Sequence, residues 1–278
     1  MIQLDDKQLR KLQMIELEML IEVDRICRKY NINYQIIGGT LLGSVRHGGF
    51  IPWDDDADVA MLRGEYEKFK KVCKQELDAQ RFYFQDFEET KGYRWSYGKL
   101  RRKGTAFLRE HQEHMPYAQG VFIDIFPVDG VPDNYVLRAI HNFHCFCIRK
   151  ILWSEVGRLA DKSAAKRLWF RCLSKIPSAF VFKHYKKMIV KSNRKKTKRV
   201  RIVLMPLPNK GFGYLRRWFE KSNDFLFEGK LLRGTALEKE FLTFEFGNYM
   251  KLPPENKRKV HPVSDIKLID VKIDGVEK

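Results

Sequence analysis

Residues 36–61 leave this chain few folding options. An apolar Ile36-Ile37 stops at Gly38-Gly39. A short helix-forming run follows, and aspartates at 54, 55, 56 and 58 lead into the apolar Val59-Ala60-Met61. A glycine pair between a strand and a helix lets the backbone approach a ligand closely, with the helix amides facing an anion. Backbone groups at Gly38, Gly39 and Thr40 are therefore candidates for cradling a phosphate. On a strand over 56–61, Asp56 and Asp58 point to the same face, and Asp54 shares their parity. Carboxylates on one face repel unless a cation sits among them. Hard oxygen donors suit Mg²⁺ or Mn²⁺, which keep several waters and also hold substrate phosphates. An isolated Asp-x-Asp reads as a solvated acidic turn, but the strand–Gly-Gly–helix unit before it favours metal binding.

Around this segment the pattern is α/β (α+β), with a mixed sheet and flanking helices. Apolar residues Leu9, Leu12, Ile15, Met19, Val23, Ile26 and Tyr30 predict a helix over 8–30. A strand is expected over 32–37, a helix over 41–46 with Thr40 as its N-cap, and a second helix over 65–77. Further strands are expected over 82–85, 93–100 and 121–126, the last ending at Pro127. This divides the chain into a core at 1–132, a basic helical segment at 133–205 and a C-terminal segment at 206–278. The last is expected to be helical over 213–248, with a final strand near 266–269.

A site holding phosphates between metals needs a further carboxylate. Asp124, a lone charge inside apolar Val121–Phe126, is the best candidate, because an unpaired acid there is costly. Asp129 is less favoured, since Val-Asp-Gly reads as a turn. Lys99 and Arg101 share a strand face and either neutralise a pyrophosphate or lie in solvent. Arg46 is a phosphate contact or an exposed helix end. His261 is a phosphate ligand, a base or a structural histidine. Trp53, Trp95 and Tyr97 offer aromatic faces for a quaternary ammonium, although such residues are more often core. His141, His144, Cys145 and Cys147 have no standard zinc spacing. The five cysteines lack Cys-x-x-Cys spacing and read as reduced thiols.

These motifs resemble the LicD family of phosphotransferases, which use a nucleotidyltransferase-type fold and include the fukutin-related transferases. The resemblance rests on Gly38-Gly39-Thr40-Leu41-Leu42-Gly43 with Arg46, on Phe50–Asp58 and on Phe122–Pro127. It continues through Phe227-Glu228-Gly229, Phe246–Met250, Leu252-Pro253-Pro254 and His261. The chain departs from the family pattern at Phe246, Asn248 and Thr235. The resemblance implies transfer of phosphocholine, or a related polyol phosphate, from a CDP-activated donor such as CDP-choline. The acceptor would be a sugar hydroxyl of a lipid-linked or polymeric glycan precursor, as in teichoic acid or lipopolysaccharide, and CMP would be released. Asp56, Asp58 and Asp124 would be catalytic, and Asp54, Asp56, Asp58 and Asp124 would hold the metal. Gly38, Gly39, Thr40, Arg46, Lys99, Arg101 and His261 would bind substrate. The alternatives are a nucleotidyltransferase that leaves the nucleoside monophosphate on its acceptor, and a basic binding protein without turnover.

Charge narrows the partners. The 278 residues carry +18, yet residues 138–201 hold 19 basic and 2 acidic residues, so the excess belongs to one segment. Lys183 to Arg201 has ten cations and no acid, interleaved at first with Phe180, Phe182, Tyr185 and Ile189. Such a run suits an anionic membrane surface. Nucleic acid is a poor fit, because no nucleic-acid-binding motif accompanies the charge. With no 18-residue apolar run and no basic-then-apolar N-terminus, the expected location is cytoplasmic, peripheral at the inner face of the membrane.

Overall fold

The computed structural model describes residues 2–203, 205–206, 213–258 and 260–276. Helix α1 (Asp6–Lys29) opens on a capping box. Asp5 accepts the Gln8 N–H at 2.8 Å, and the Gln8 side chain accepts the Asp5 N–H at 3.2 Å. Its apolar stripe, Leu12, Ile15, Met19, Val23 and Ile26, is fully buried. Then follow β1 (Gln35–Ile36), α2 (Gly38–His47), β2 (Asp58–Leu62), α3 (Arg63–Glu76), β3 (Phe82–Gln85), β4 (Gly98–Arg102), β5 (Ala106–Arg109) and β6 (Phe122–Val131). Helices α4 (Tyr135–Ala160), α5 (Ala164–Ser174) and α6 (Ser178–Asn193) form the basic segment. The chain continues through β7 (Arg199–Ile202), β8 (Tyr214–Leu215), β9 (Ser222–Phe227), β10 (Lys230–Thr235), α7 (Glu238–Phe246) and β11 (Val263–Lys267).

Among the described residues nine strands make one mixed sheet, ordered β3-β4-β6-β2-β1-β10-β9, with β7 on the far half of β6 and β8 on β7. Strands β2 and β6 run parallel, as do β1 and β10, while the other pairs are antiparallel. A small second sheet pairs β11 with β5.

Several expectations change. Strand β6 does not end at Pro127 but runs on to Val131. The Asp124 N–H bonds the Ala57 carbonyl toward β2, so by alternation the Pro127 nitrogen faces the other edge. There β4 pairs residues 122–125 and β7 pairs residues 128–131, so Pro127 falls in the gap and its missing donor costs no ladder bond. Asp129 is therefore in a strand, not a turn. The 213–248 segment is not one long helix. Strands β9 and β10 form a hairpin closed by Glu228 (φ 51°) and Gly229 (φ 73°), as a two-residue turn with both central residues at positive φ requires. Helix α2 begins at Gly38 with Ile37 as its N-cap, not with Thr40.

The basic segment has its own core of Cys145, Ile148, Leu152, Val181, Phe182, Tyr185, Ile189 and Val203. Phe182, Tyr185 and Ile189, expected to face a membrane, are thus committed to the interior. His141 is buried beside them, 3.5 Å from the Cys145 sulfur. Burial first, and Arg201 second, lower its pKa to about 4. An unfolded histidine titrates near 6.5, so between these values the unfolded chain binds the extra proton. Stability is then complete above that pH and falls by up to about 3 kcal/mol as the pH drops toward 4. His141→Phe should lose less stability than the native chain between about pH 7 and pH 4.5 in urea melts. Equal losses would disprove this.

Candidate metal and phosphate site

Sheet register builds the centre of the site. Asp58 on β2 stands opposite Asp124 on β6, and Asp124 stands opposite Lys99 on β4. Adjacent strands lie about 4.8 Å apart, so two acids and one amine form a row across three strands. Lys99 and Asp124 are joined as a buried ion pair. Burial first, and the cations Arg109 and Arg101 besides, lower the Lys99 amine to about 7 against the opposing pull of Asp124.

Beside this row α2 begins. No side chain caps its first amides. Gly38 has φ 56°, where a side chain would be strained, and a Cβ on Gly39 would lie 2.4 Å from Asp54 Oδ2 and displace that carboxylate. The Thr40 hydroxyl accepts the Asp58 N–H at 2.9 Å and ties the helix start to β2. Burial alternates through the acidic run: Asp54, Asp56 and Asp58 are partly exposed, while Asp55 and Ala57 are buried. The parity drawn from the sequence therefore holds, although the strand itself begins only at Asp58.

Asp55 turns inward to His261, accepting its backbone N–H at 2.7 Å and meeting its Nδ1 at 3.0 Å. Asp56 lies 3.6 Å from the same nitrogen. Asp55, Asp56 and His261 are the one group of three His, Cys, Asp or Glu among the described residues whose ligand atoms all lie within 4.8 Å of one another. Of these, only Asp56 belongs to the four expected metal ligands. His261 stands at the site, held by an acid the sequence reading had passed over.

Asp54, Asp56 and Asp58 lack full compensation. Asp58 is held well above the usual carboxylate range by burial, then by the charges of Asp56, Asp124 and Asp54. Asp54 is pushed up to about 8 by burial, then by Asp56 and Asp55. Burial also raises Asp56, although His261 and Arg109 pull it down. Glu16, 1% exposed on α1, is raised by burial and then by Asp56, Asp55, Asp54 and Asp58, and its Oε2 has no hydrogen-bond partner. Oxygen donors that destabilise one another's charge fit a hard divalent cation.

Other expected residues divide. Lys99 and Arg101 are buried rather than solvated. Arg101 donates to Gln85 Oε1 and to the Gly120 carbonyl, both at 2.6 Å. Arg46 donates to the Tyr249 carbonyl at 2.9 Å and to His47. Trp53 stacks on the Arg258 guanidinium, 4.2 Å from ring centroid to Cζ, apart from Trp95 and Tyr97. Those two line a pocket of about 290 Å³ with Trp153 of α4. His141, His144, Cys145 and Cys147 form no coordinating group among the described residues.

Sequence reasoning assigned no role to Glu16, Asp55, Arg109 or Glu228, although Asp55 and Glu228 lie within the motifs of the resemblance. Arg109 on β5 lines a small cavity with Lys99 and Arg101, and its buried Nε is unpartnered. Glu228 accepts the Phe50 N–H at 3.1 Å and pairs with Arg10 at 2.8 Å. Its own N–H donates to the Gly48 carbonyl at 2.8 Å, which clamps the loop before the acidic run.

A glycine-led helix start faces acids on two parallel strands of a mixed sheet, an arrangement suited to holding and transferring a phosphate group. Residues 31–144 match the family described as LicD/FKTN/FKRP, nucleotidyltransferase domain. The chain is 31% identical over 276 residues to the lipopolysaccharide cholinephosphotransferase LicD of Haemophilus influenzae, covering 92% of this chain and 97% of that one. An uncharacterized protein of Rickettsia prowazekii is 26% identical over 118 residues, covering 42% of this chain and 40% of its own. The chain belongs to the LicD family of phosphotransferases.

Proposed function

We propose that the chain transfers phosphocholine, or a related polyol phosphate, from a CDP-linked donor to a sugar hydroxyl of a cell-surface glycan precursor, releasing CMP. The observation that carries this reading is the Asp58–Asp124–Lys99 row beside the uncapped start of α2. The name of the Haemophilus relative favours phosphocholine as the group and a lipopolysaccharide-type glycan as the acceptor. Residues 1–132 would form the catalytic core and 133–205 the basic helical part. The segment 206–278 would complete the acceptor side, with Glu228 bracing the loop before the acids.

Mg²⁺ or Mn²⁺ held by Asp56 and Asp58, with Asp54 and Asp124 at hand, would neutralise pyrophosphate charge. The amides of Gly38, Gly39 and Thr40 would donate to phosphate oxygens, with Arg109 supplying a free guanidinium N–H. The acceptor hydroxyl oxygen attacks the distal phosphorus. That phosphorus parts from the bridging oxygen, which leaves on CMP. The hydroxyl proton would pass to a carboxylate, for which Asp124, opposite Asp58 in the sheet, is the candidate. Asp55 orients His261 toward the same acids. The site would work at the inner face of the cytoplasmic membrane, where a lipid-linked acceptor is found.

Phosphorus NMR with CDP-choline, CDP-ethanolamine, CDP-glycerol and CDP-ribitol, plus a lipid-linked glycan acceptor, tests this. CMP should appear with Mg²⁺ or Mn²⁺ and disappear with a chelator. Labelled nucleotide left on the acceptor would instead identify a nucleotidyltransferase. Salt-sensitive binding without turnover of any donor would identify a basic binding protein.

A further inference from the structure

Helix α4 has two apolar faces. One carries His141, Cys145, Ile148, Leu152 and Val156 into the interior. The opposite face carries Val136, Ile140, Phe143, Phe146 and Trp153 at three- and four-residue steps, with one seven-residue gap that Lys150 divides. These five side chains are 62%, 49%, 64%, 43% and 38% exposed. Of the 18 large apolar residues exposed among the described residues, 12 lie between Tyr135 and Val190, so the exposure is concentrated and not scattered. A helix apolar all round belongs in a buried setting, and a contiguous exposed apolar patch marks a docking surface.

Charge identifies the occupant. The same segment holds 19 basic and 2 acidic residues. The cations stand on the stripe itself: Arg149 and Lys150 lie 5.9 and 5.6 Å from the Phe146 ring centroid, and Lys150 is also 5.7 Å from Phe170 of α5. Lys166 and Arg171 of α5, and Lys175 just after it, are exposed beside Leu168 and Trp169. A second copy of this chain would set one strongly basic lobe against another, which like-charge repulsion opposes. We propose that the outer face of α4 seats the chain on an anionic bilayer, with its aromatic side chains in the interface and its lysine and arginine heads among the phosphates. The run 183–201 is then an electrostatic auxiliary, since most of its apolar residues face the interior. The stripe ends at Trp153, which walls both the 290 Å³ pocket and the small cavity beside Lys99. A lipid-linked acceptor would therefore rise from the membrane toward the cavity lined by Lys99, Arg101 and Arg109.

Co-sedimentation with vesicles needs neither donor nor acceptor, so it stands or falls apart from the transferase reading. The native chain should bind vesicles of phosphatidylglycerol and phosphatidylcholine and bind pure phosphatidylcholine weakly. Phe143→Glu/Phe146→Glu should lower the anionic-vesicle partition constant by at least ~10-fold with an unchanged melting curve, because both sites are exposed. Lys183→Glu/Lys187→Glu should have a smaller effect that vanishes at high salt. The proposal fails if the native chain ignores anionic vesicles or if the phenylalanine variant binds within ~2-fold of native. It fails equally if sedimentation velocity shows a native dimer that this variant dissolves.

Discussion

Asp58→Asn should lower CMP release by roughly 10²–10³-fold or more, yet leave the metal-free protein at least as stable as the native chain. The two effects share one cause. Asp58 is only partly exposed, and its burial first, then the charges of Asp56, Asp124 and Asp54, hold its carboxyl well above the ordinary range. A carboxylate whose folded pKa exceeds its unfolded value binds its proton more readily when folded, so its ionised form weakens the fold at neutral pH. Asparagine keeps the shape and removes that charge. It also removes a charged oxygen donor from one end of the row shared with Asp124 and Lys99. Adding Mn²⁺ should raise the melting temperature of the native chain, because a ligand bound only by the folded state stabilises it, and should do little for the variant. Native turnover in Asp58→Asn would remove the residue from the mechanism. A lower metal-free melting temperature would remove the charge argument.

The parts of this site that were legible in the sequence were local. The Gly38-Gly39 break, the parity of Asp54, Asp56 and Asp58 and the lone Asp124 follow from periodicity over a few residues. What escaped notice was supplied by contacts between distant elements. Glu16 belongs to α1 and looks like one more surface acid of an amphipathic helix until the packing of α1 turns it toward the aspartates. Arg109 lies on a strand that is defined by its pairing with residues 263–267. The hairpin at 222–235 was mistaken for helix because its leucines and phenylalanines satisfy either period, and only the positive-φ Glu228-Gly229 turn settles the matter. The Asp129 misreading has the same origin. Val-Asp-Gly makes a turn in isolation, but here β2 and β7 flank the strand and α6 and Arg63 supply partners for the acid.

That last contact sets the largest expected effect on stability. Arg63 binds Asp129 in fork geometry, Nε to Oδ1 at 2.8 Å and Nη2 to Oδ2 at 2.7 Å, and Nη2 also donates to the Tyr185 hydroxyl at 2.9 Å. The Asp129 side chain is completely buried. Three elements meet there: α3 through Arg63, β6 through Asp129, and α6 through Tyr185 and Asn193, whose amide donates to Asp129 at 2.7 Å. Arg63→Ala strands a buried carboxylate and should cost about 3–5 kcal/mol, a fall of about 10 °C in the melting temperature. Arg63→Met/Asp129→Leu should recover most of that loss, since the apolar pair fills the space without burying an unpaired charge. The other two partners remain satisfied in the double variant. Tyr185 still donates to the Ser96 carbonyl at 3.3 Å, and Asn193 still donates to the Ile189 carbonyl at 2.8 Å. A double-mutant cycle would therefore isolate the pair. A coupling energy below about 1 kcal/mol would show that the pair is worth no more than a surface contact, and that packing alone joins the helical segment to the sheet.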